Sequence, residues 1–190
     1  MLDPTNITNY NLTDYELEEH ILFWVCAAGK NGVTAATCLE RLLGSMEEDY
    51  PPQERQPFLM LRRFYDKLPA WLKYAGIGCY SSKAKSFQHL VDSGINLRTC
   101  TVDDLEAIHG IGPKTARCFL IHSRPNQRLA GLDRHALNFL RDKGYNVPKS
   151  TPTGKKYKQI EQWFLLEADK AGKSVSEFDL EIWNEYRNKK

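Results

Sequence analysis

No two cysteines of this chain stand close enough to suggest a metal knuckle or a redox pair. Cys26, Cys38, Cys79, Cys100 and Cys118 are scattered, odd in number and free of any CxxC spacing, which argues against a disulfide framework and against a zinc site. Reduced thiols in an intracellular protein are the expectation. Long apolar runs are also missing. The longest stretch of large apolar residues is Ile21–Val25, far below the roughly 20 residues a membrane-crossing helix needs, and the polar start Met1–Asn11 has no leader-like core. Neither secretion nor membrane insertion is expected. Nor is there an excess of one charge: 26 Lys and Arg face 24 Asp and Glu, a net of +2, so bulk charge announces no nucleic-acid partner and local pattern has to decide. No segment alternates apolar and polar residues between hairpin turns, so a sheet has no support. Repeats and low-complexity tracts are absent too.

What is present reads as an all-α protein. An apolar fraction of 42% and a charged fraction of 26% over 190 residues are those of a globular chain able to bury a core without metal or cross-links. Thr13 with Glu16 forms a capping-box pattern ahead of the apolar face Leu17, Ile21, Leu22, Trp24 and Val25. Further helices are predicted over Val33–Leu43, Pro57–Leu68 and Ser82–Ser93, the last closed by Gly94. Two more capping pairs, Thr101 with Asp104 and Ser174 with Glu177, open helices carrying Leu105 with Ile108 and Leu180 with Trp183. Asp133 can cap a helix over His135–Leu140. The stretch Lys143–Lys158, with Gly144, Pro148, Pro152 and Gly154, reads as a loop.

One segment carries chemistry. His109-Gly110-Ile111-Gly112-Pro113-Lys114-Thr115-Ala116 follows a short helix and precedes the apolar run Cys118–Ile121. Two glycines permit a tight turn that brings main-chain N–H groups to the surface, and the second helix starts at Gly112 or Pro113 with its positive end at the same place. A phosphate suits that spot. A plain turn between helices has the same look, and a lone Gly-x-Gly would be weak support.

The flanks add to it. Leu105–Ala116, read as Leu-x-x-Ile-x-Gly-Ile-Gly-x-Lys-Thr-Ala, resembles the hairpin of the helix-hairpin-helix DNA glycosylases. Leu132-Asp133-Arg134-His135 resembles that superfamily's apolar-Asp-x-His signature, and Asp133 lies 19 positions after Lys114, a separation similar to that of its 8-oxoguanine branch. Gly78–Ala84 resembles the Tyr-x-x-Lys-Ala segment of the endonuclease III branch. Cys26–Gly32 through Glu40-Arg41-Leu42 resembles the helix–loop–helix whose loop fills the gap left by an extruded base. These matches run in order from about Tyr15 to about Arg141.

The resemblance implies a two-lobed fold, with a central lobe over residues 19–124 and a second lobe of 1–18 and 125–190. It also implies cleavage of a base–sugar bond in duplex DNA carrying a damaged, oxidised base such as 8-oxoguanine, by a monomer that needs neither cofactor nor metal. Lys114 would be the attacking amine, Asp133 its partner. Gly110, Ile111, Gly112 and Thr115 would hold a phosphate, His135 a second one. Lys30 or Asn31 would occupy the vacated stack, and Lys83, with Lys85, Arg117, Arg124 and Arg128, would face the DNA. A free lysine has a pKa of about 10.4, so burial or nearby positive charge would be needed to give the amine. Each has a plainer reading: Lys114 as a phosphate contact, Asp133 as a helix cap, His135 likewise, Lys30 and Asn31 as a solvated turn, the basic residues as surface charge. Asp179, Trp183 and Tyr186 either line the base pocket or close the core. No cysteine follows Cys118, a departure from the endonuclease III branch with its iron–sulfur cluster. Two other function classes fit parts of the pattern: a base-modifying enzyme of viral DNA on the same scaffold, and a non-enzymatic hairpin module that binds DNA.

Overall fold

Thr13 opens the first helix of the computed structural model by the route its sequence predicts: the Glu16 amide donates to the Thr13 hydroxyl while the Thr13 amide donates to the Glu16 carboxylate. The structure describes residues 2–47, 50–51, 54–187 and 189. Among them there is no strand, and none of the helices is long and apolar enough to cross a membrane. The helices are α1 (Asp14–Ala27), α2 (Gly32–Glu47), α3 (Pro57–Arg63), α4 (Leu68–Tyr74), α5 (Tyr80–Asp92), α6 (Val102–Glu106), α7 (Pro113–Ser123), α8 (Arg134–Asp142), α9 (Gly154–Lys170) and α10 (Val175–Tyr186). Capping boxes also open α6, at Thr101 with Asp104, and α10, at Ser174 with Glu177. The fold class is all-α, as the periodicity implies.

Two boundaries differ from the sequence reading. The helix expected over Pro57–Leu68 stops at Arg63 and, after a 3-10 turn at Tyr65–Lys67, restarts as α4. Pro69 stands in the first turn of α4, where its missing N–H leaves no helical bond unmade. The stretch Lys143–Lys158 is a loop only as far as Thr153, because α9 starts at Gly154. Tyr157, Ile160, Phe164, Leu165 and Ala168 form the buried stripe of that helix, while Lys155, Lys156 and Lys158 lie on its exposed side. The lysines masked the stripe.

The chain divides into two compact units: Met1–Pro4 with Asn11–Gly112, and Thr5–Tyr10 with Pro113–Lys190. In the first unit α1 is the central element, packed on α2, α3 and α5 and buried on nearly every side from His20 to Cys26. In the second, α7 packs on α10, and α10 on α8 and α9. That packing of α7 places the division at Gly112–Pro113, before the helix, whereas the sequence reading drew it after residue 124.

The core of the second unit is aromatic. Phe139, Phe164 and Phe178 meet edge to face with ring centroids 5.2–6.2 Å apart, a geometry that adds to the area they bury. Phe164 is fully buried. Phe164→Ala should cost about 3–5 kcal/mol, read as a lowered denaturant midpoint with an unchanged slope; a loss under about 1 kcal/mol would mean the cluster is not a cooperative core.

Candidate active site

Gly110 turns the hairpin with φ +84°, where a side chain is strained, and a Cβ there would lie 1.8 Å from Ser86 Oγ and 2.7 Å from its Cβ. Glycine is therefore required twice over, by conformation and by the close approach to α5. Leu105, Ile108 and Ile111 are buried beneath the turn, and Ile111 N–H donates to Ile108 O. Gly110 and Gly112 remain exposed. The first unit ends here.

Pro113 begins α7 and Lys114 lies in its first turn, half-buried. Thr115 is buried, so its side chain is not offered at the surface. Cys118 and His122 follow Lys114 at intervals of four residues and thus share its helix face. Asp133 caps α8: its Oδ1 accepts from His135 N at 2.7 Å and from Ala136 N at 2.9 Å, leaving Oδ2 outside the cap. Burial raises the Asp133 carboxyl above the ordinary range. The positive charge of Lys114 opposes this, Asp179 adds to it, the Ala136 amide and His135 oppose it, and the net shift is upward. Burial likewise pushes the Cys118 thiol well up, against the pull of Lys114. Lys114 and Asp133 thus interact electrostatically.

The short loop carrying Asp133 is clamped. Ala130 N donates to Glu161 Oε1 at 3.0 Å, the Tyr157 hydroxyl donates to Ala130 O at 2.7 Å and accepts from Leu132 N at 3.0 Å, and the Thr151 hydroxyl donates to Leu132 O at 2.9 Å. Glu161 is paired with Arg117 at 2.7 Å, both side chains only 7% exposed, and the guanidinium lies 4.5 Å from the Tyr157 ring centroid. Arg117 is on the same helix as Lys114. Gly131 has no room for a side chain, since a Cβ would be 2.2 Å from Cys118 Sγ. One network therefore joins the helix of the lysine to the loop of the aspartate.

Other residues singled out from sequence have plainer places. Lys83 is buried and its ammonium donates to Cys26 O at 2.6 Å, in the last turn of α1; it faces inward because that carbonyl end is where a cation is wanted. Burial lowers its pKa. Arg117 is buried in the clamp, and exposed Arg128 forms a two-pronged pair with Asp169. Asn31 caps α2 through Oδ1, and Lys30 donates to Gly76 O. Lys85 is exposed and Arg124 half-buried. His135 lies edge-on to Trp183, 6.4 Å between centroids, with Nδ1 buried and without a hydrogen-bond partner, so contact with a phosphate would have to come from Nε2.

A family model for the helix-hairpin-helix motif matches residues 95–122. Among solved structures, the chain is similar to the Methanocaldococcus jannaschii 8-oxoguanine glycosylase/lyase in complex with a 15mer DNA containing 8-oxoguanine, at 23% identity and a TM-score of 0.65, over 94% of this chain and 84% of that one. The chain has the same fold as that protein. The motif match takes in α6, the hairpin and nearly all of α7, and so contains Lys114, Cys118 and His122.

Sequence reasoning named Lys114 and Asp133 and missed the Arg117–Glu161 pair that joins their two elements. Arg117→Met should cost about 3–5 kcal/mol, because it strands the buried Glu161 charge, whereas replacing both partners with apolar residues (R117M/E161L) should recover most of that loss. Urea unfolding of the single and double variants decides it. Additive losses would mean that the pair is not coupled.

Proposed function

We propose that this protein is a DNA glycosylase with lyase activity, acting on an oxidised base such as 8-oxoguanine in duplex DNA. The observation that carries the reading is the pairing of Lys114, in the first turn of α7, with the Asp133 carboxylate that caps α8. The likeness in fold to an 8-oxoguanine glycosylase/lyase supports it.

In this reading the target nucleotide is flipped out of the stack and the strand is held by main-chain amides of Gly110 and Gly112 and by His135 Nε2, the Ile111 amide being engaged with Ile108 O. Asp133 takes a proton from the Lys114 ammonium, and the freed amine attacks the sugar C1′. The bond from C1′ to the base breaks with its electron pair going to the base, which gains a proton on leaving. Opening of the sugar ring gives an imine between Lys114 and C1′. Loss of a C2′ proton then expels the 3′ phosphate, and hydrolysis returns the lysine. Asp133 passes the proton taken from Lys114 to the leaving base, and its restored negative charge stabilises the electron-poor sugar.

Two variants separate the roles. On duplexes containing 8-oxoguanine, thymine glycol, uracil or an abasic site, borohydride should trap the protein covalently on at least one, and Lys114→Gln should abolish trapping while leaving DNA binding intact; a trappable K114Q protein would sink the assignment. Asp133→Asn keeps an oxygen for the α8 cap, so stability should change by less than about 1 kcal/mol. Base excision should nevertheless fall about 10²–10⁴-fold. A D133N protein with full activity would reduce Asp133 to a helix cap.

A further inference from the structure

His122 is almost fully buried on the face of α7 that carries Lys114 and Cys118, and both ring nitrogens are engaged. Nε2 lies 3.1 Å from Asp179 Oδ2, on α10, and Nδ1 lies 2.7 Å from Thr8 Oγ1, in the segment Thr5–Tyr10. A carboxylate oxygen can only accept, so Nε2 donates to Asp179 and Nδ1 accepts from the Thr8 hydroxyl. Asp179 is therefore fixed from behind, with its side chain 12% exposed. Its charge acts on Cys118 and on Asp133.

We propose that Asp179 is a working part of the Lys114–Asp133 site: a second carboxylate, held by the Thr8–His122 pair, whose negative charge makes Asp133 the acceptor of the Lys114 proton. This rests on the reading of Lys114 as the nucleophile. The groups facing the pair are Lys114, Cys118 and His122 from α7, His135 from α8, Asp179 from α10 and Thr8 from the N-terminal segment, with Arg117, Tyr157 and Glu161 beneath the Asp133 loop. Of these, Asp179 is the carboxylate whose charge opposes ionisation of Asp133, consistent with the upward shift of that group. The transfer is balanced: an ammonium and a carboxylate become an amine and a carboxylic acid, with no net change in charge. Asp179 acts through Asp133 and is thus a positioning and tuning residue.

The test is the pH profile of single-turnover trapping for the wild type, D179N and D179E. Asparagine keeps an oxygen for His122 Nε2 and removes the charge; D179S does the same if D179N does not fold. Activity needs ionised Asp133, so the rate is lost as pH falls through the pKa of that group. With the Asp179 charge gone, the acid limb should move down by about one pH unit, the size expected of a carboxylate neighbour in a partly buried site. The plateau should fall as well, since Asp133 becomes a weaker base, and D179E should restore both. A lowered plateau with an unmoved limb would make Asp179 purely structural and overturn the proposal. Carboxyl NMR titration of Asp133 in wild type and D179N reads the same coupling without activity. If the wild type never traps, the reading of Lys114 falls, while an Asp133 midpoint that drops in D179N still upholds the coupling and an unmoved midpoint refutes it.

Discussion

The buried ion pair between Arg117 and Glu161 is the constraint on which the site depends. Such a pair is a poor source of stability, because removing two charges from water costs about what their attraction returns. Its value here is geometric. Arg117 comes one turn after Lys114, and Glu161 accepts the amide of Ala130, three residues before Asp133. A rigid guanidinium fork cannot be satisfied at a wrong angle without stranding charge, so the spacing between the two chemical groups is fixed. Tyr157, under that guanidinium, adds a hydroxyl that bridges Ala130 O and Leu132 N.

Reading the sequence went furthest where a local rule governs the structure. Capping boxes at Thr13, Thr101 and Ser174 depend on residues three apart and formed as written. Gly110 depends on its own φ and a close neighbour. The Lys114–Asp133 pairing came from resemblance, which carries long-range information that periodicity lacks. What holds the pair was not legible: Tyr157 and Glu161 sit in and just after a lysine-rich stretch that reads as a loop, and Thr8 meets His122 across 114 positions. Lys83 shows the reverse failure. A basic residue near a predicted helix start looks like a DNA contact, yet the carbonyl end of another helix claims it. The spacing of Lys114, Cys118 and His122 at every fourth residue was a usable sign that more than one chemical group shares that face.

Asp133 holds two roles with opposed electrostatic demands. As the cap of α8 it accepts two amides, which favour the charged form, and Lys114 favours it again. Burial and Asp179 favour the neutral form and prevail. A carboxylate held only by amides and a lysine would be a strong anion and a feeble base, content to leave the lysine protonated. One that was merely buried would be protonated already and could take nothing. In the proposed reading the cap and burial oppose one another, and a proton acceptor needs both: the amides to hold a charge and the burial to make it basic. Because the cap uses Oδ1, the oxygen outside it can change its protonation without unravelling the helix start. If Asp133 acts as proposed, cap and catalyst are one side chain divided between its two oxygens, so neither reading of Asp133 drawn from sequence excludes the other.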